Sequence, residues 1–168
     1  MKNIAAAISL AFAASTLSSA AIAAPDDKTP HAEHQHGAHE HGASPAGKAG
    51  DPAKVTRTVV VDMNDTMRFS PSAISVKQGD VVRFVVKNSG KLKHEMVIGS
   101  ASELKEHAQM MAKFPEMEHA EANQVTLAPG VTGNLIWEFD HAGKVEFACL
   151  QAGHFEAGMK GVVSVAAK

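Results

Sequence analysis

The chain has 168 residues, with 16 Lys plus Arg against 18 Asp plus Glu, a formal net charge of −2, and a single cysteine. With no basic stripe and no aromatic platform, nucleic acid is not expected as a partner. One cysteine excludes an internal disulfide.

Residues 1–23 read as a secretory signal. Lys2 precedes an apolar run from Ile4 to Phe12, and Ala21-Ile22-Ala23 fits the small-x-small cleavage pattern. That run is too short to span a bilayer, which takes roughly 20 residues, and no later segment is apolar enough, so no membrane insertion is expected. The expected location is the periplasm. Residues 24–54 hold Pro25, Pro30, Pro45 and Pro52 and almost nothing large and apolar. Such a stretch cannot bury enough surface to offset the entropy of ordering, and reads as a disordered tail. Its segment H-A-E-H-Q-H-G-A-H-E-H places His31, His34, His36, His39 and His41 close together. A tract of this kind takes up copper or zinc loosely, with the metal left open; the plainer alternative is a polar linker.

Residues 55–168 make one domain's length of chain. Val59, Val61 and Met63 alternate along a first strand. Met67 to Phe69 forms a short extended piece stopped by Ser70-Pro71. Ile74 and Val76 share a face before Gln78-Gly79-Asp80, and Val82, Phe84 and Val86 repeat at period two up to Asn88-Ser89-Gly90. His94, Met96 and Ile98 line the next strand. Ser100-Ala-Ser-Glu103 is a capping box, followed by Leu104, Ala108, Met111 and Ala112 at helical spacing. The pattern predicts a helix over 101–113 and an irregular segment to Asn123. Leu135, Trp137 and Phe139 mark a later strand, Val145, Phe147 and Cys149 share a face after it, and Val163 and Val165 lie on the last. Short period-two strands punctuated by Gly, Pro and Asn predict an all-β sandwich or barrel with one short helical insertion.

The chemistry concentrates in F-A-C-L-Q-A-G-H-F-E-A-G-M-K-G, residues 147–161. A lone exported cysteine is a core residue, a link between chains, or a ligand. Here Cys149 is followed by His154 and Met159 at equal spacing, with Gly153 and Gly158 allowing the loop to curl around a common point. Thiolate, imidazole and thioether form a soft donor set, and two histidines, a cysteine and a weak axial methionine make a type 1 copper site. The second histidine has to come from elsewhere. His94, opening a strand after a polar turn, is preferred over His107, His119 and His141. Met110, Met111, Met117 and His119, with His107 nearby, form a further cluster of donors suited to Cu(I). Met111 fits the helix's apolar face, so packing accounts for part of that cluster.

The domain resembles the cupredoxins, Greek-key β-sandwiches that hold type 1 copper. The resemblance covers roughly 55–168 and rests on F-S-P-S-A-I-S-V-K-Q-G-D-V-V-R-F, K-H-E-M-V-I-G and the Cys149–Met159 loop. Within that family it is most similar to periplasmic copper-resistance cupredoxins of the CopI type, which share the G-H-x-E-A-G-M loop end and a His-rich N-terminus. The resemblance implies His94, Cys149 and His154 as equatorial ligands and Met159 as the axial one. Two features depart from the pattern. Ala152 and Gly153 stand where many cupredoxins have proline, adding an N–H near the thiolate that would tune the copper potential. Met96 replaces a frequent aromatic and is read as packing.

Three functions are weighed. The first is copper tolerance, with one tightly bound, redox-active copper and more on the tail. The second is one-electron carriage between periplasmic redox partners. Phe155 beside His154 suits docking, Glu156 and Lys160 do not, and the 101–123 insertion is placed to cover that end. The third is catalysis, which would need further histidines on folded strands; the chain is not expected to be an enzyme. The expected partners are copper ions and a periplasmic redox or copper-transfer protein, with the chain itself a monomer.

Overall fold

A computed structural model describes residues 44–168 apart from 116, 118 and 119. The signal segment 1–23, the tail histidines His31, His34, His36, His39 and His41, and His119 lie outside the described residues. The elements in chain order are β1 (Lys48–Ala49), a short 3-10 turn (Pro52–Lys54), β2 (Arg57–Asn64), β3 (Arg68–Ser70), β4 (Ala73–Lys77), β5 (Val81–Asn88) and β6 (His94–Gly99). Helix α1 (Ala101–Lys113), β7 (Gln124–Leu127), β8 (Thr132–Glu138), β9 (Gly143–Ala148) and β10 (Lys160–Ala166) follow.

The strands form two five-stranded sheets, ordered β1-β8-β5-β2-β3 and β4-β10-β9-β6-β7. The chain passes repeatedly from one sheet to the other, as a Greek-key sandwich requires. Within the sheets, β2 and β5 run parallel, as do β4 and β10. Alternation sets the inward faces: β4 reads exposed, buried, exposed, buried, exposed, with Ile74 and Val76 inward. Val61, Met63, Phe69, Phe84, Val86, Leu135 and Trp137 from one sheet meet Met96, Ile98, Val145, Phe147, Val163 and Val165 from the other in one core. Phe69 and Phe147 close the sandwich edge-to-face, 5.0 Å between centroids. Each such ring contributes about 1.5–3 kcal/mol through burial.

Helix α1 begins where its capping box predicts. The Ser100 hydroxyl accepts from the Glu103 N–H, and the Glu103 carboxylate accepts from the Ser100 N–H. Its buried Leu104, Ala108 and Met111 pack on Val97, Ala148 and Leu150. Strand β6 is therefore buried along its whole length, on both faces, rather than on the His94, Met96, Ile98 face alone.

Two local expectations change, and one strand is added. Met67 belongs to the turn before β3, with a left-handed φ of 57°, and is not extended. The four-residue edge strand β7 follows Asn123; Gln-Val-Thr-Leu is too short for its periodicity to mark it. Finally, residues 44–54, assigned to the tail by composition, lie on the sandwich. Lys48 and Ala49 pair with β8, Ala46 is buried, and Trp137 Nε1 donates to the Ala46 carbonyl at 2.7 Å. Small residues permit the close approach that large ones would block. Gly47 has φ +111°, and a Cβ there would sit 2.2 Å from the Glu138 carbonyl oxygen. Replacing Trp137 by Phe removes that donor and should lower unfolding stability by about 1–2 kcal/mol, read as a shifted urea midpoint with accelerated amide exchange at Gly50.

Candidate metal centre

One end of the sandwich gathers the loops after β2, β5 and β9. His94 opens β6 there. Its alternation with Met96 and Ile98 turns the imidazole inward, where it is fully buried. Cys149 follows β9 directly, on the same inward face as Val145 and Phe147, and is also fully buried. The chain then curls back. His154 N–H donates to the Gln151 carbonyl, Met159 N–H to the His154 carbonyl and Cys149 N–H to the Met159 carbonyl, at 2.9, 3.0 and 3.0 Å. Gly153 and Gly158 supply the left-handed turns, with φ of +83° and +89°. Arg68 Nη1 reaches across to the Ala157 carbonyl at 3.0 Å and fixes the loop's far side.

This curl brings three donors together. The ligand atoms of His94, Cys149 and His154 all lie within 4.8 Å of one another. Both histidines present Nδ1 to Cys149 Sγ, at 4.0 Å from His94 and 3.2 Å from His154. Met159 is fully buried in the same core cluster as Cys149. His154 alone keeps partial contact with solvent. One thiol and two imidazoles around a common point fit a copper ion, since sulfur with nitrogen donors selects that metal.

The surroundings orient the donors. His94 Nε2 lies 3.1 Å from Asp65 Oδ1, so its Nε2–H donates to the carboxylate and Nδ1 is left free to ligate. Asp65 is itself held by the N–H groups of Lys91 and Leu92. Those donors, Lys91 first and then His94, hold its carboxyl below the usual range. Buried Asn88 ties the turn before His94 to the Leu92 and Leu127 carbonyls, at 2.8 and 3.0 Å. Glu95, buried on the opposite face of β6, accepts from Leu150 N–H at 3.1 Å and Gln151 Nε2 at 2.9 Å.

Electrostatics match a metal ligand set. Burial pushes the Cys149 thiol up to about 12, opposed by N–H groups of Glu95 and Gln151 that point at the sulfur. Those two amides, rather than Ala152 or Gly153, are the ones that meet it. Burial also lowers His154, helped by neighbouring His94, so the imidazole is neutral and able to ligate at neutral pH.

The other candidates lie elsewhere. His107 lines a cleft with Trp137 and Glu103, and exposed His141 bonds Asp140 Oδ1 at 2.6 Å. Met111 is buried under α1 with Leu104, whereas Met110 and Met117 are 50% and 41% exposed. Met96 is packed in the core. Asp65, Asn88, Glu95 and Arg68 had no sequence signal as parts of the site. Asp65 sits in a polar turn, and Glu95 lies on a strand face that is covered only in the tertiary fold.

Comparison with known proteins gives a consistent picture. The profile of copper-binding proteins of the plastocyanin/azurin family matches residues 55–166. A copper-resistant cuproprotein CopI from Rubrivivax gelatinosus is 52% identical over 122 residues, covering 73% of this chain and 74% of that protein. Proteins of the same name from Vibrio cholerae and Pseudomonas aeruginosa are 39% and 35% identical, covering 76% and 71% of this chain and 76% and 81% of theirs. Among solved structures, auracyanin B superposes with a TM-score of 0.59 at 20% identity, over 74% of this chain and 99% of that one. Auracyanin from Roseiflexus castenholzii gives 0.58 at 20% identity, over 67% and 98%. These structures share the fold.

Two outcomes follow from the geometry. Asp65→Asn removes the carboxylate behind His94 and should weaken copper binding about 10–100-fold, measured by competition with a chelator. The raised Cys149 value predicts the pH response of the metal-free chain. An unfolded thiol ionises near the ordinary cysteine value of 9.0 while the folded one holds its proton to about 12, so stability falls as pH rises through that window. Cys149→Ser should flatten this alkaline loss in denaturant titrations.

Proposed function

The chain belongs to the plastocyanin/azurin family of copper-binding proteins, and from that premise we propose that it is an exported, periplasmic holder of one copper ion that contributes to copper tolerance. His94, Cys149 and His154 are its equatorial ligands, with Met159 as the weak axial one. The observation that carries this reading is the convergence of two Nδ1 atoms on a fully buried lone thiol. A copper ion supplies an interconversion between Cu(I) and Cu(II) at the bound site. The chain's residues hold the site ready for it: Asp65 fixes the His94 tautomer, the Glu95 and Gln151 amides meet the sulfur, and the β-sandwich keeps water from Cys149. Relatives at 52, 39 and 35% identity that carry the name copper-resistant cuproprotein support a role in tolerance. The tail histidines His31, His34, His36, His39 and His41 add loosely held copper. The chain acts as a binding protein rather than an enzyme.

One observation favours electron carriage as a second reading. His154 is the ligand that reaches the surface, and exposed Leu92 and Val131 flank the loops at that end of the sandwich. A partner protein with an apolar face would meet copper's neighbourhood there.

A bacterial strain lacking this protein, complemented with the full chain or with Cys149→Ser, separates these readings. Tolerance of raised copper should return with the wild-type chain and fail with the variant at equal periplasmic abundance. Full tolerance from Cys149→Ser would overturn the proposal.

A further inference from the structure

Among the described residues, Glu95 is the only carboxylate buried in the fold, at 2% exposure. Burying a carboxylate costs several kcal/mol after relaxation, so its presence calls for a reason. It accepts from Leu150 N–H, Gln151 Nε2 and Thr126 Oγ1, at 3.1, 2.9 and 3.1 Å. In all three bonds the carboxylate is the acceptor. The N–H of the same residue donates to Cys149 Sγ at 3.4 Å. Glu95 thus grips the two residues that follow Cys149 while its own backbone grips the sulfur.

As a clasp alone, a neutral side chain would serve without the desolvation cost. The charge does something a neutral clasp cannot. The two copper oxidation states, related by Cu(II) + e⁻ ⇌ Cu(I), differ by one positive charge. A fixed negative charge out of water, where screening is weak, favours the more positive state. Glu95's carboxylate bonds both residues that follow Cys149 and its N–H meets the sulfur, so the charge stands beside the metal-binding atoms. Asp65, behind His94, adds a second negative charge but is 36% exposed and more screened. Lys93 lines the same cleft as Glu95.

We propose that Glu95 is a positioning residue whose buried charge biases the bound copper toward Cu(II), so that the site retains the oxidised ion. This rests on the copper assignment above and deepens it: the chain stores Cu(II) in preference to accepting an electron onto it.

The test is the midpoint of the copper-loaded full chain, equilibrated against the one-electron hexacyanoferrate couple and followed at the thiolate-to-copper band. Glu95→Gln should raise the ratio of Cu(I) to Cu(II) at a given solution potential about tenfold, a midpoint rise of about 59 mV. Glu95→Asp keeps the charge and should stay near wild type. Gln151→Leu removes one compensating donor from the carboxylate and should move the midpoint the opposite way, downward. An unmoved or lowered midpoint in Glu95→Gln overturns the proposal, as does Glu95→Asp moving as far as Glu95→Gln. Should Glu95→Gln fail to fold, Gln151→Leu decides: a fall supports the charge role, and a rise or no change overturns it. A wild-type chain without the band overturns the copper assignment and this proposal with it. A normal band with an unmoved midpoint removes only the role of Glu95.

Discussion

Everything at this site follows from one sulfur atom placed where an ion is costly. Cys149 is fully buried, and burial is the main cause that pushes its thiol up to about 12. A thiolate in that position needs a cation, and two imidazole nitrogens stand close enough to share one with it. A lone thiol is also open to oxidation unless it is enclosed and coordinated. Burial and ligation answer that need together. The arrangement is thus a metal site whose protein half is already built.

The rest of the fold keeps that half in place. The sandwich gives β6 and β9 fixed positions side by side, with Ile98 opposite Phe147 and Val97 opposite Ala148. That register sets His94 and Cys149 at the same end of the sheet. The loop to β10 then returns His154, closed by hydrogen bonds that run from Cys149 through Met159 to His154. Two carboxylates complete the surroundings from opposite sides of β6: Asp65 from the β2–β3 turn and Glu95 from beneath the helix-covered face. Helix α1, β7 and the loop after Cys149 together make that face an interior, which turns an ordinary strand glutamate into a buried one.

Much of this was legible from residue order, and the limits have physical causes. The strands with strong alternation, such as Ile74–Val76 and Val82–Val86, announce themselves because one face is core and the other water. The helix announces itself through its cap, since Ser100 and Glu103 satisfy each other's backbone before any packing is considered. The proposed ligands Cys149, His154 and Met159 are near neighbours in sequence, so their spacing is visible; His94 was a choice among four histidines. What sequence left dark is what depends on tertiary cover. Asp65 and Glu95 are acids in a turn and on a strand, indistinguishable from solvated ones until Lys91, Leu92 and α1 are in place. The ordered segment at Ala46 was hidden for the opposite reason: its small residues look like linker, yet smallness is what lets them lie against Trp137 and Glu138.

The central claim is that Cys149 binds a single copper through its sulfur. A Cu(II) titration of the full chain, following bound copper and visible absorption together, tests it most directly. The account predicts a thiolate-to-copper charge-transfer band that saturates at one equivalent and is absent from Cys149→Ser. A chain that binds copper with no such band, or a band that survives in Cys149→Ser, would contradict it.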